Sequence, residues 1–194
     1  PQREAVLAAL NGVLGDRLAA SGNPLATRMQ LRHAGRTLDW ATPSTLPAKA
    51  TVGGKLLLII HGLCMNDLQW THTTTDGDVR SHASALAALG YTPAYVRYNT
   101  GLHTSDNGAA LAAQLDQLIT HWPVPVTEIT VLAHSMGGLV TRSAVQQARN
   151  DQPAWLRVLK HIVFLGTPHH GAPLERAGNW VDVILGATPY SRPF

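Results

Sequence analysis

Ile129-Thr130-Val131-Leu132-Ala133-His134-Ser135-Met136-Gly137-Gly138-Leu139-Val140 reads as an apolar strand that runs straight into a helix, with a serine at the junction. A turn this tight would lift the Ser135 hydroxyl above the end of the strand, where a base can reach it. It also crowds the backbone, so the positions two before and two after the serine must be small. They are Ala133 and Gly137. Gly138 would relieve packing on the neighbouring strand.

Small-x-Ser-x-Gly at a strand-to-helix junction is the pattern of a nucleophile elbow, here with alanine where glycine is usual. The letters alone would also suit a serine that merely caps a helix. The context favours the elbow, because strand, turn and helix all fall where it needs them.

A second segment supports this reading. Leu58-Ile59-Ile60-His61-Gly62-Leu63-Cys64-Met65 is a buried strand ending in His-Gly at the same predicted sheet edge. Acyl transfer needs two backbone N–H donors aimed at the oxyanion that develops in the transition state. Met136 would supply one, at a helix N-terminus with its positive dipole end. Leu63, in the loop after the strand, would supply the other. Gly62 by itself could simply permit a sharp turn.

Outward from these segments, residues 56–60 read as a strand buried on both faces. Residues 79–89 read as a helix with Val79, Ala83, Leu86 and Leu89 on one face, and residues 92–98 as a strand. Ser105 or Asp106 would cap the next helix, whose apolar stripe is Leu111, Leu115, Leu118, Ile119 and Trp122. Pro123 and Pro125 would end it. Residues 129–133 form a strand, 136–149 a helix and 162–165 a strand. Alternation of this kind implies right-handed crossovers and a mostly parallel sheet with helices on both faces, an α/β fold.

Before this core, residues 2–20 read as an amphipathic helix with Val6, Leu10, Val13, Leu14 and Leu18 on its buried face. Ser21-Gly22-Asn23-Pro24 would stop it. Two short alternating runs around Ala34-Gly35 suggest a hairpin, and residues 41–54 a loop. The division is therefore residues 1–50 as a helix and hairpin extension, and 51–194 as the core.

Composition excludes several classes. Hydrophobic residues make up 45% of the 194-residue chain and charged ones 14%, which rules out intrinsic disorder. The longest aliphatic run, residues 56–60, is far short of the ~20 residues a membrane helix needs. Contact with a membrane surface stays open. Cys64 is the single cysteine, so there is no intrachain disulfide framework, and a reducing compartment such as the cytoplasm is suited. The net charge of +3 arises entirely in residues 1–50, which hold six basic and three acidic side chains. Arg28, Arg32, His33 and Arg36 are the densest basic stretch and read as the solvated face of a strand pair, too few for a nucleic-acid interface.

Ten histidines invite a metal reading, but no His-x-x-x-His or Cys-x-x-Cys pair occurs, so no metal and no cofactor is expected. Cys64 reads as a small packing residue. Trp70, Trp122, Trp155 and Trp180 read likewise. Val52-Gly53-Gly54-Lys55 lacks phosphate-loop spacing.

With these residues in hand, the chain resembles the α/β-hydrolase superfamily, and within it bacterial lipases and GPI inositol-deacylase-like serine hydrolases. The resemblance rests on His61-Gly62-Leu63, on Ala133-His134-Ser135-Met136-Gly137-Gly138, and on Phe164-Leu165-Gly166-Thr167-Pro168-His169-His170-Gly171-Ala172-Pro173. It implies attack by Ser135 on an ester carbonyl and hydrolysis of the acyl-enzyme, with a small-molecule ester or lipid as substrate. An acyltransferase with the same elbow, and a hydrolase-like binding module without catalysis, remain alternatives.

The triad does not close in sequence. Its order in this fold is Ser, Asp or Glu, then His, and 59 residues follow Ser135. Asp151 lies past the far end of a helix, about 20 Å away at 1.5 Å per residue. His161 falls at the opposite sheet edge, while Glu175 and Asp182 follow every histidine. In the family His169 and His170 are structural, and acid and base come from loops after later strands. The chain is thus expected to be truncated at its C-terminus. Residues 174–190 would begin a lid or form a core helix.

Overall fold

The computed structural model describes residues 2–73 and 79–171. In chain order they form α1 (Gln2–Ala20), β1 (Gln30–His33), β2 (Arg36–Thr37), β3 (Lys55–Ile60), β4 (Thr71–Thr73), β5 (Val79–Ser81), α2 (His82–Ala87), β6 (Thr92–Arg97), α3 (Thr104–His121), β7 (Glu128–His134), α4 (Met136–Ala148), α5 (Ala154–Val158) and β8 (Leu159–Leu165). The predicted Trp180, Glu175, Asp182 and segment 174–190 lie outside the described residues.

One six-stranded sheet has the order β2-β1-β6-β3-β7-β8. The hairpin β1–β2 joins it antiparallel to β6, and the four strands from β6 to β8 are parallel. This is the mostly parallel α/β sheet read from the sequence. The turn between β1 and β2 holds Ala34 and Gly35 at φ 47° and 76°, a left-handed pair that matches the twist of a two-residue hairpin.

β3 shows why its sequence is apolar throughout. Leu56, Leu58 and Ile60 join the core under α3 and α4, with Leu111, Leu115, Leu118, Val140 and Ala144. Leu57 and Ile59 face the other way, into a cluster with Trp70 and Ala83. Both faces are covered, so no position between them can be polar. Trp122 and Trp155 are buried in the larger core.

Four expectations need correction. The apolar stripe of α1 is not its buried face: Val6 is 68% exposed, Val13 45% and Leu14 37%, and Leu10 and Leu18 are half-buried, whereas Ala8, Asn11 and Gly15 are buried. The inward face meets backbone and polar side chains too closely for branched residues. A Cβ at Gly15 would fall 1.9 Å from Asn99 Oδ1. The segment 79–89 is not one helix. Its first three residues pair with β4, α2 covers only six, and Leu89 is 65% exposed. The N-cap position of α3 is His103, whose side chain makes no capping hydrogen bond, and Ser105 and Asp106 lie inside the first turn.

The basic stretch is the fourth correction. Arg28 and Arg36 are exposed, but Arg32 Nη1 donates to Asp67 Oδ2 at 2.7 Å and His33 Nδ1 lies 2.8 Å from Pro93 O. The buried Asp67 carboxylate also accepts from Arg97 Nε at 2.5 Å, and Arg97 reaches Glu4 of α1 at 2.6 Å. This chain of charges ties helix, hairpin and sheet together at the carboxyl end of β6.

Candidate active site

Ile60 of β3 and Ala133 of β7 are register partners, so the segments that follow them leave the sheet side by side. β7 ends at His134 and α4 begins at Met136, leaving Ser135 alone at the corner with φ 49° and ψ −121°. A non-glycine residue in such a conformation costs on the order of 1–3 kcal/mol and persists only where its surroundings over-determine it. Here the Ser135 N–H donates to Leu165 O at 2.8 Å, and Ser135 O accepts from Gly138 N–H at 3.1 Å. α4 then runs against the end of β3.

The loop after β3 closes on this corner. A Cβ at Gly62 would fall 3.0 Å from Ser135 Cβ and 3.0 Å from His134 Nδ1. Gly62 is thus demanded by contact with the serine corner, more than by a turn of its own. Leu63 follows, and Met65 N–H donates back to Gly62 O at 3.3 Å. Met136 is the first residue of α4, and its N–H has no acceptor within the helix. Neither this N–H nor that of Leu63 donates to a group among the described residues. Two backbone donors are thus unclaimed, one directly after Ser135 and one directly after Gly62, the residue that touches the corner.

His61 is fully buried beneath the loop. Its ring stacks on Tyr98 with centroids 4.5 Å apart, and Tyr98 Oη donates to His61 O at 2.7 Å. Nδ1 lies 3.0 Å from Gly62 O, and Nε2 is buried without a partner. Burial lowers its pKa to about 4, against smaller raising effects from Gly62 O and Asp67. His61 is neutral near pH 7. Burial also holds the Tyr98 phenol far above its ordinary pKa, so it remains a donor. The His134 ring meets Trp70 edge-on at 6.3 Å, and burial lowers its pKa as well.

No described histidine hydrogen-bonds Ser135. His169 Nδ1 lies 3.0 Å from Arg142 Nη1, and its ring packs edge-on against Phe164 at 4.7 Å. His161 sits early in β8, paired with Thr130. Asp151 is exposed beyond α4. Among the described residues no group of three or more His, Cys, Asp or Glu could hold a metal ion. None of the described helices is long and apolar enough to cross a membrane.

Sequence reading missed the supports of the 62–65 turn. Thr100 Oγ1 accepts from Cys64 N–H at 3.1 Å, and Asn66 caps the turn after it with its side chain on Leu68 N–H at 2.9 Å. The Asn66 side chain could have been found as a capping residue followed three positions later by Gln69. Thr100 carries no local signal, because its partner is 36 residues away.

Two solved structures share the fold. They are the Bacillus licheniformis lipase BlEst2 in propeptide form, at TM-score 0.52 and 24% identity over 69% of this chain and 28% of that one, and in mature form, at TM-score 0.51 and 23% identity over 64% and 45%. The chain thus spans less than half the length of either lipase chain. No curated protein matches the sequence. Residues 27–192 match the family described as Domain of unknown function (DUF7379), and the chain belongs to that family.

Proposed function

We propose that the protein is a serine hydrolase of carboxylic esters, with Ser135 as nucleophile and the N–H groups of Leu63 and Met136 as the oxyanion hole. The observation that carries this reading is the Ser135 backbone, at φ 49° and ψ −121° between a buried strand and a helix. Such strain has a use if it holds the hydroxyl clear of the strand end and directly before the first free N–H of α4. The fold shared with a Bacillus lipase agrees with this reading.

In the reaction, Ser135 Oγ attacks the ester carbonyl carbon and gives up its proton to a base. The carbonyl oxygen becomes an oxyanion held by the two N–H donors and the N-terminal dipole of α4. Collapse of the tetrahedral intermediate expels the alcohol and leaves an acyl-enzyme, which water then hydrolyses. His169 is engaged by Arg142 and His61 is sealed beneath the loop, so neither is assigned as the base.

Fluorophosphonate labelling of the native protein from its source, with the modified peptide mapped, tests the assignment. Labelling at Ser135 is expected. Ser135→Ala should lower ester hydrolysis by at least about 10³-fold while the protein still folds. Hydrolysis unchanged in a folded Ser135→Ala variant, or a label on another residue, would overturn it.

A further inference from the structure

Arg3, Val6, Leu10, Val13 and Arg17 follow one another at spacings of three and four residues, so they form one row along α1. The row lies across the helix from the buried Ala8, Asn11 and Gly15. Val6 and Val13 are exposed, as are Leu14 beside them and both arginines, and Leu10 is half-buried. α1 does not need this row to hold its place. Glu4 takes the Arg97 guanidinium at 2.6 Å, and Asn11 Nδ2 donates to Leu25 O at 2.9 Å. Asn11 Oδ1 accepts from Thr27 N–H at 2.8 Å, and Gly15 O accepts from Asn99 Nδ2 at 2.9 Å.

The loops tied to α1 widen the row. Among the described residues eight large apolar side chains are exposed, and five of them gather here. They are Val6, Val13 and Leu14, then Leu25 in the loop that Asn11 holds, and Leu68 in the turn capped by Asn66. Asn66 Nδ2 in turn donates to Glu4 O at 3.1 Å. Singly scattered apolar side chains need no explanation, but a group on one element does.

The charges select the partner. A second copy paired row to row would set Arg3 against Arg17 if antiparallel, or each arginine against itself if parallel. Both arrangements put like charges where paired helices place apolar residues. The acids of α1 do not oppose this: Glu4 is taken by Arg97, and Asp16 stands roughly 100° round the helix from Arg17. Arg28, just past the helix, is exposed as well, and residues 1–50 carry the whole net charge of +3. The partner that fits is both apolar and negative. A helix row is convex and offers a peptide no groove, whereas a lipid interface receives it along its length.

We propose that this face of α1 is a docking surface for anionic lipid bilayers, with Val6, Leu10, Val13 and Leu14 entering the headgroup boundary and Arg3 and Arg17 meeting lipid phosphates. α1 also touches the loop after β3, where Cys64 Sγ lies 3.9 Å from Ala9 O. Docking thus brings the sheet edge that holds the serine corner to a source of lipid esters. That use rests on the reading of Ser135 as nucleophile, and the binding itself does not.

The test sediments the full-length native protein with phosphatidylcholine vesicles, pure or containing about one-third phosphatidylglycerol. At low salt the parent should partition about tenfold more strongly onto the anionic vesicles, and the difference should shrink as salt rises. Val6→Gln with Val13→Gln should weaken that binding about tenfold. Arg3→Gln with Arg17→Gln should remove most of the preference for anionic lipid. Both pairs should hydrolyse a soluble p-nitrophenyl ester within about twofold of the parent, since neither touches the serine corner. If the valine pair does not fold, the arginine pair decides alone. A parent that ignores anionic vesicles, or a folded pair that binds them as the parent does, overturns the proposal. So does a parent dimer that the valine pair dissociates, because a second copy then covers the face. Ser135→Ala should bind vesicles like the parent: if it also keeps full hydrolysis, only the nucleophile falls.

Discussion

Gly137 of α4 lies against the carbonyl of His61 so closely that a Cβ on it would fall 2.7 Å from that oxygen, and 2.8 Å from the Ile60 oxygen. Both neighbours are backbone at the end of a fully buried strand, where nothing can rotate aside. This contact brings the start of α4, with Met136 N–H, up to the loop that carries Leu63.

Gly137→Ala should therefore act on stability and site together. Overpacking of this kind costs about 1–3 kcal/mol, read as a lower urea midpoint with unchanged slope. Ester hydrolysis should fall as well, because α4 must withdraw from β3 and take Met136 with it. An alanine variant with the parent's midpoint and rate would show that α4 can shift without consequence for the site.

The contact between α1 and Cys64 makes a sharper prediction, because it can be relieved. Gly12→Ala drives a methyl group into the Cys64 sulfur, 2.1 Å from an unmoved Cβ, and should destabilise by about 1–3 kcal/mol. Adding Cys64→Ala removes that sulfur and leaves Cys64 Cβ at 3.2 Å from the new methyl, a contact small shifts can absorb. The double variant should be more stable than Gly12→Ala alone, and thermal denaturation of the two singles and the double gives the coupling. Strictly additive effects would mean that the two residues do not meet.

These contacts also mark where the sequence could be read and where it could not. β3, β7, the stripe of α3 and the serine corner are encoded by neighbours within a few residues, and all are legible. The burial of Leu111, Leu115 and Leu118 follows from spacing alone. The orientation of α1 does not, because Cys64 and Asn99 decide it by leaving room only for Gly12 and Gly15. A stripe with Val6, Val13 and Leu14 exposed contradicts the local pattern, and only the distant surface explains it. Arg32 looked solvated for the same reason: its partner Asp67 is 35 residues on, in a loop whose letters announce no charge pair. At the candidate site, the small residues around Ser135 were readable from the strand-to-helix pattern, although what excludes a side chain at Gly137 is the distant backbone of Ile60 and His61. The supports of the neighbouring turn were not.

The last prediction concerns acid. Burial lowers the pKa of His61 from 6.5 to about 4, and the groups facing it are Asp67, which raises it, and Arg97 and His134, which lower it. In the unfolded chain the same imidazole takes up its proton near pH 6.5. Between these values the unfolded state binds more protons, so stability is full above pH 6.5 and falls as pH drops toward 4. A difference of this size corresponds to about 3 kcal/mol over that window. His134, lowered in the same direction, adds to the loss. Carboxylates titrate over part of the range too, so the comparison must be between two proteins rather than two pH values. Urea unfolding of the parent and of His61→Gln at pH 7, 5.5 and 4 isolates the term, since glutamine does not titrate. The parent's advantage over His61→Gln should shrink by about 3 kcal/mol from pH 7 to pH 4. An advantage that stays constant would mean that His61 accepts its proton as readily in the folded protein as in the unfolded chain.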